Sequence, residues 1–304
     1  MIIGCYTAET GGKGTGIVVP GGPAVPARSP SYLITQGDFL YAVNETDDGT
    51  VSSFDRETLA VRSTVSTGGV WPCHLAYHPD GYVLVANYGS GSVAVHPVAE
   101  GALRPYTSLV VHRGSGPRVD RQEGPHAHQI VVAPDGTVTV VDLGIDRLVH
   151  YRLAGGELTE IGFTALPPGT GPRHVVVHPS GRQYLVGELS SEVLTLDGGR
   201  VIASAPATSF TGENLPGAIR LDGDLLYVTN RGADTIAVFD LSLNRLAEVP
   251  CGGAWPRDLA VGDGLLHVAN QHSDTVVTFT AGPRPAPTGQ VVRTGSPACV
   301  LQGR

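Results

Sequence analysis

Seven side chains carry most of the chain's capacity for chemistry: His126, His128, Arg173, His174, Glu188, Arg231 and Arg257. An imidazole and a carboxylate can take a proton from water and return one to a departing alkoxide, while guanidinium groups can hold a developing oxyanion and a second, distal anion. Opening a lactone needs that set. A structural reading stands beside it. Arg173 and Arg257 each follow a proline at the start of a strand and can equally pair with an acid of a neighbouring repeat. Asn44, Asn87 and Asn270 are suited to capping turns by bonding to backbone two residues on. His78, His96 and His178 fall at turns or on outer strands and read as structural. Glu188 and His128 favour function, because Glu188 replaces an Asn in its column and His128 lies in a run of polar side chains.

What positions these residues is a repeat. The stretch Trp71 to His96 is its clearest copy: an opening proline, a short apolar strand, a Pro-Asp-Gly turn, a second apolar strand ending in Asn, a polar turn and a third strand. Three strands in so few residues leave no room for a helix. Copies open at Pro30, Pro72, Pro125, Pro172, Pro216 and Pro256, 40 to 53 residues apart. That interval suits a propeller blade whose outermost strand is irregular in sequence. The segment Ser296 to Leu301 is an opening strand with nothing after it, and residues 2 to 7 and 16 to 19 are strands with no opening strand before them. Joined, they make a seventh unit with its innermost strand at 298 to 301. The expectation is an all-β, seven-bladed β-propeller of four-stranded blades, closed by pairing of the N- and C-terminal strands in one blade, with residues 1–304 forming a single domain.

Aligning the copies on their second strands places Cys5, Asn44, Asn87, Asp142, Glu188, Asn230 and Asn270 in one column. Counting back from the turns places Cys73, His128 and Arg173 in another, with His74, Gln129 and His174 beside it. Both columns are expected at the mouth of a central channel, where a ligand would sit.

Composition narrows the function classes. Of 304 residues, 16% are charged and 41% hydrophobic, with 41 Gly and 23 Pro, which suits short strands and tight turns. A net charge of −8 argues against nucleic acid or an anionic membrane as partner. Cys5, Cys73, Cys251 and Cys299 are far apart and lack zinc-type spacing, so buried free thiols are expected. The N-terminus shows no basic segment followed by an apolar run, and no stretch approaches the ~20 apolar residues of a membrane span. A soluble cytoplasmic protein, monomeric or weakly dimeric, is expected. Glycine-rich Thr67-Gly-Gly and Gly114-Ser-Gly-Pro read as turns, since no helix follows to make a phosphate site.

Gly124-Pro-His-Ala-His-Gln129, Asn87-Tyr-Gly-Ser-Gly-Ser-Val93, Gly171-Pro-Arg-His174, Asn230-Arg-Gly232 with Asp234-Thr-Ile236, and Pro256-Arg-Asp258 with Asn270-Gln271 form an ordered set. With them the whole chain resembles the lactonase family of seven-bladed propellers, which includes a bacterial 6-phosphogluconolactonase and a fungal 3-carboxy-cis,cis-muconate cyclase. The resemblance implies a site without metal or cofactor, in which His128 and Glu188 do acid–base work and Arg173 and Arg231 hold the substrate's anion. His126 is a possible substitute for His128, and Arg257 and His74 are further candidate substrate contacts. The chain departs from its relatives at Gly187, where they often carry Asn, and in a shortened segment from Ser191 to Gly199. The implied substrate is a phosphorylated sugar lactone, 6-phosphogluconolactone first. Alternatives are a muconate-type cycloisomerisation, a calcium-dependent lactonase using the oxygens of Glu188, Asn230, Asn87 and Asp142, and a non-catalytic propeller that binds a partner at its rim.

Overall fold

The computed structural model describes residues 1–302. Apart from two single-turn 3₁₀ segments, Ala8–Thr10 and Gln271–Ser273, the regular structure among them is strand. The hairpins follow from local chemistry. In His78–Gly81, Ala133–Gly136 and His178–Gly181 the glycine N–H donates to the carbonyl three residues back. Proline presets the second position of such a turn. The closing glycine sits at φ 85°, 81° and 88°, respectively, a left-handed conformation that a side chain resists.

Seven sheets result, and the protein is a seven-bladed β-propeller. By packing, the chain falls into two compact units, residues 25–171 and residues 1–24 together with the chain from Pro172 onward. The first holds three sheets, with second strands Phe39–Asn44, Tyr82–Asn87 and Thr137–Asp142. The other holds sheets with second strands Gln183–Gly187, Leu225–Arg231 and Leu265–Asn270, and the blade that joins the two ends of the chain. In that blade Pro297–Leu301 runs antiparallel to Ile2–Cys5, with Ile3 opposite Val300 and Gly4 opposite Cys299, and Gly16–Val18 lies on the far side of Ile2–Cys5. Pairing of the two chain ends in one blade is therefore present, as expected, and it covers an edge that would otherwise be open.

Second strands are apolar on both faces because both are covered: Leu40 to Asn44 and Val83 to Asn87 are buried throughout. Outer strands are the reverse. Val61–Ser66 and Ala286–Arg293 have no fully buried residue. The apolar cores lie between successive sheets, as where Tyr41, Val43 and Val51 meet Leu75, Val83 and Val85.

One irregularity recurs. In the opening strands the ladder skips a residue just after the opening segment begins, between Pro72 and His74, Ala127 and Gln129, Pro172 and His174, and Pro256 and Asp258. The skipped residues are Cys73, His128, Arg173 and Arg257. In the blade of Leu215–Asp222 the skip takes Gly217 and Ala218. A bulge bends its strand and re-aims a side chain. The column that contains His128 and Arg173 is thus a column of bulged residues.

Candidate active site

In the unit that contains the chain from Pro172 onward, three charged residues converge. Glu188 follows directly on strand Gln183–Gly187, Arg231 ends Leu225–Arg231, and Arg173 is the bulged residue of Pro172–Val177. Glu188 Oε2 accepts from Arg231 Nη2 at 2.6 Å and lies 3.0 Å from Arg173 Nε. All are buried, at 3% exposure for Glu188 and Arg173 and 5% for Arg231.

Both guanidinium groups are also held by the backbone of Leu215–Asp222. Arg231 Nε donates to the Leu215 carbonyl at 2.9 Å, and Arg173 Nη1 donates to the carbonyl of Gly217. Gly217 itself is set by close packing against its own hairpin and the next opening strand. A Cβ there would stand 2.7 Å from Thr229 Oγ1 and 2.8 Å from the Arg257 carbonyl oxygen.

Two guanidinium groups on one carboxylate leave a local surplus of one positive charge in a poorly solvated place. A buried ionic cluster of this kind is weak evidence for stability, since desolvation offsets its attraction. It is well suited to receiving an anion.

Trp255 adds to this cluster. Its ring lies 5.6 Å from the Arg231 guanidinium carbon, and on it stacks His272, 4.8 Å between centroids and 14° between planes. The Trp255 backbone is left-handed, φ 60°, a conformation uncommon for a bulky residue. Its N–H donates to Asp234 Oδ1 at 2.7 Å, which helps fix that turn. Arg257, the neighbouring bulged residue, lies over the ring of Tyr6 at 4.9 Å.

His126, His128 and His74 lie in the unit of residues 25–171, and His174, beside Arg173, in the other. His126 is engaged at both ring nitrogens, Nδ1 with the Tyr88 carbonyl at 2.9 Å and Nε2 with Glu123 Oε1 at 3.2 Å, and it stacks on Tyr88 at 4.4 Å. His128 meets the same Tyr88 edge-on, 5.7 Å between centroids and 81° between planes. His74 stacks on Tyr32 at 4.0 Å, and its Nδ1 accepts from the Ile130 N–H at 3.3 Å. So the structure brings Arg173, Glu188 and Arg231 into one cluster and His126 and His128 against one tyrosine. His74 serves an interface between strands. Cys73, at the head of the same column, is a buried thiol directed at the carbonyls of Ala127 and His128.

The asparagine column is structural, though not by the route expected. Asn44, Asn87 and Asn230 reach sideways to hydroxyls of the next strand, Thr50 and Ser52, Ser92, and Thr235, respectively. Asn87, Asn230 and Asn270 also donate to loop carbonyls at Thr67, Ala207 and Cys251. Asp142 does bond to backbone two residues on, at Gly144. These partnerships bear on the calcium reading. Asp142 accepts from His126 N, Gly144 N and His112 Nδ1, and Glu188 faces two cations. With both carboxylates of the set already committed to N–H groups and guanidinium groups, it does not fit a hard divalent cation. The four cysteines are buried and free, as expected.

Trp255, Tyr88 and His112 are among the residues in these arrangements that were not singled out from the sequence. For Trp255 a signal exists, a Trp before the opening proline as at Trp71-Pro72. Tyr88 follows the column residue Asn87. Nothing local marks His112.

A sequence profile described as "Lactonase, 7-bladed beta-propeller" matches residues 4–302. The chain belongs to that family. Among lactonase-family relatives, a Bacillus subtilis (strain 168) 6-phosphogluconolactonase is 35% identical over 84% of this chain and 81% of its own length. The crystal structure of a putative 6-phosphogluconolactonase from Bacteroides fragilis superposes with a TM-score of 0.89 at 28% identity, covering 98% of this chain and 96% of that one. A Pseudomonas aeruginosa periplasmic gluconolactonase gives 0.86 at 31% identity, covering 98% and 96%, respectively. In this lactonase-family chain the cluster of Glu188 with two arginines is the feature with the most chemical potential. No helix among the described residues is long and apolar enough to cross a membrane.

Proposed function

We propose that the protein hydrolyses a sugar lactone, most specifically 6-phosphogluconolactone to 6-phosphogluconate. The observation that carries the reading is the buried carboxylate of Glu188 between Arg173 and Arg231, in a chain of the lactonase family. Water adds to the lactone carbonyl as His128 or Glu188 takes its proton. The tetrahedral oxyanion that forms is a charge a guanidinium stabilises far more than it stabilises the neutral carbonyl, which is the condition for lowering a barrier. Collapse breaks the bond to the ring oxygen, and the proton returns to that oxygen as it becomes a hydroxyl. The surplus positive charge of the arginine pair also suits a phosphate or a carboxylate on the substrate. His126 has both ring nitrogens engaged, which restricts it as a carrier of that proton.

The named relatives differ over the phosphate, one a 6-phosphogluconolactonase and one a gluconolactonase. The phosphorylated lactone is preferred here because the relative named for it is 35% identical and because the arginines favour an added dianion. That substrate belongs to the pentose phosphate pathway, which puts the protein in the cytoplasm. The test is acid release from freshly made 6-phosphogluconolactone, measured against spontaneous hydrolysis and against gluconolactone. Acceleration of the phosphorylated lactone over gluconolactone supports the proposal. No acceleration of either, with turnover of a carboxymuconate, replaces hydrolysis by cycloisomerisation.

A further inference from the structure

A left-handed residue before an opening proline recurs along the chain, at Ser29, Trp71, Gly171, Trp255 and Ser296, with φ between 42° and 60°. At Ser29, Gly171 and Ser296 the side chain is small or absent, so the backbone at this position does not call for an indole, and a bulky residue is uncommon there. At Trp71 the indole N–H is in use, donating to Asp47 Oδ1 at 2.6 Å. At Trp255 it is the face of the ring that is in use. The guanidinium carbon of Arg231 lies over it, 5.6 Å from the centroid and within the reach of a cation–π attraction.

The indole is seated from both directions, by residues of its own compact unit. Three residues after Arg231, in the turn that follows strand Leu225–Arg231, Asp234 Oδ1 accepts from the Trp255 N–H at 2.7 Å, and the Asp234 carbonyl accepts from the Cys251 N–H at 2.9 Å. On the other side the Trp255 carbonyl accepts from the Gln271 N–H at 3.0 Å, the Ala254 carbonyl from the His272 N–H at 3.2 Å, and Ser273 Oγ from the Ala254 N–H at 2.8 Å. His272 then stacks on the ring at 4.8 Å. The turn that Arg231 leads into thus fixes the backbone of the residue whose ring Arg231 meets.

We propose that Trp255 is a positioning residue for Arg231, holding the guanidinium in the orientation that meets the substrate's anion while keeping the cluster with Glu188 and Arg173 cationic. Arg231 Nε donates to the Leu215 carbonyl, and Nη2 donates to Glu188 and to the Pro216 carbonyl, so these bonds run along one edge of the fork. A plane held at one edge can still swing about it, and a ring packed against it limits the swing. The chemistry of that wall matters as much as its place. A carboxylate there would hold the cation as firmly but would cancel the surplus positive charge of the two arginines. An indole attracts the cation through its quadrupole, adds no charge and, being a donor only, offers no competing acceptor. The effect on turnover rests on the lactone-hydrolase reading; the hold on Arg231 does not.

The experiment compares Trp255→Leu and Trp255→Phe with the wild type in two measurements. Leucine puts an apolar side chain on the same left-handed backbone without a π face, whereas phenylalanine keeps a face. Trp255 is only half-buried, and Trp255→Ser, which reproduces Ser29 and Ser296 at the same position, replaces Trp255→Leu should that variant fail to fold. In steady-state kinetics on 6-phosphogluconolactone, Trp255→Leu should raise KM about fivefold, more than it lowers kcat, and Trp255→Phe should stay within about twofold of wild type. In protein labelled with ¹⁵N-arginine, the Arg231 Nε–H signal, assigned by its loss in Arg231→Lys, should exchange with water at least about fivefold faster in Trp255→Leu and near the wild-type rate in Trp255→Phe. A wild type that opens no lactone removes the hydrolase reading, and the exchange rates then decide the role of Trp255 alone. Unchanged exchange in Trp255→Leu, equal defects in Trp255→Leu and Trp255→Phe, or an unchanged KM in Trp255→Leu of an active enzyme would each overturn the proposal.

Discussion

At the scale of single residues, the arginines change what the substitutions should do. If Glu188 and His128 move protons, Glu188→Gln and His128→Asn should each lower kcat by at least about a hundredfold with little change in KM. Steady-state kinetics on the phosphorylated lactone decide this, and a wild-type kcat in both variants returns the two residues to a structural role. Sequence reasoning alone makes Arg231 largely a binding residue whose loss chiefly raises KM. With Arg231 Nη2 2.6 Å from a buried Glu188 oxygen, Arg231→Ala also leaves a carboxylate short of one partner. We expect a rise in KM, a fall in kcat and a loss of about 3–5 kcal/mol of stability, read by denaturant unfolding. Arg231→Lys keeps the charge but not the fork that reaches Glu188 and the backbone together, so it should recover only part of each loss.

At the scale of strands and turns, side chains from one blade hold the next. Asp258 Oδ1 accepts from Arg220 at 2.6 Å and Oδ2 from the Val300 N–H at 3.1 Å, tying three sheets to one carboxylate. Glu248 does similar work, taking bonds from Thr235, Ser209 and Thr208. Burial alone would raise the Glu248 carboxyl, but those bonds outweigh it and hold it below its ordinary value. A carboxyl depressed on folding contributes stability that is complete above its unfolded value, near 4.5, and is lost as pH falls toward the folded one. Glu248→Gln should therefore cost about 1–2 kcal/mol at neutral pH, and the gap between variant and wild type should close below about pH 4 in a series of thermal melts.

The order of strands was legible in the sequence because proline, the Pro-Asp-Gly turns and runs of apolar residues all act locally. Phe39–Asn44 and Leu265–Asn270 end on the column residues aligned from the sequence, Asn44 and Asn270. Outer strands such as Ala286–Arg293 were not, since a strand covered on neither face has no alternation to show. The column of Cys73, His128 and Arg173 could be aligned, but not recognised as bulges, because a skipped pairing belongs to two strands at once. The convergence of Glu188 with two arginines and the pairing of His112 with Asp142 were equally hidden. Each is made by residues 15 to 58 positions apart, and only packing brings them together.

At the scale of the whole molecule, we propose that all seven blades unfold as one domain. Calorimetric and van't Hoff enthalpies should then agree, and two separated transitions, one for each compact unit, would refute it. Acid should weaken the fold well before carboxylates titrate. His96, His150 and His267 are pushed by burial below the ordinary value of 6.5. Their contribution is complete above pH 6.5 and falls as pH drops through that value, because the unfolded chain takes up protons the folded one resists. The melting temperature should fall by several degrees between pH 7 and pH 5. The blade that joins the chain's two ends carries a different consequence, one of timing. Ile2–Cys5 leaves the ribosome while its partner Pro297–Leu301 is still unmade. Throughout synthesis that early strand presents an unpaired edge, and the late strand of a neighbouring nascent chain fits it as well as its own. Translation at high density should therefore yield strand-exchanged dimers, while slow or dilute synthesis yields monomers.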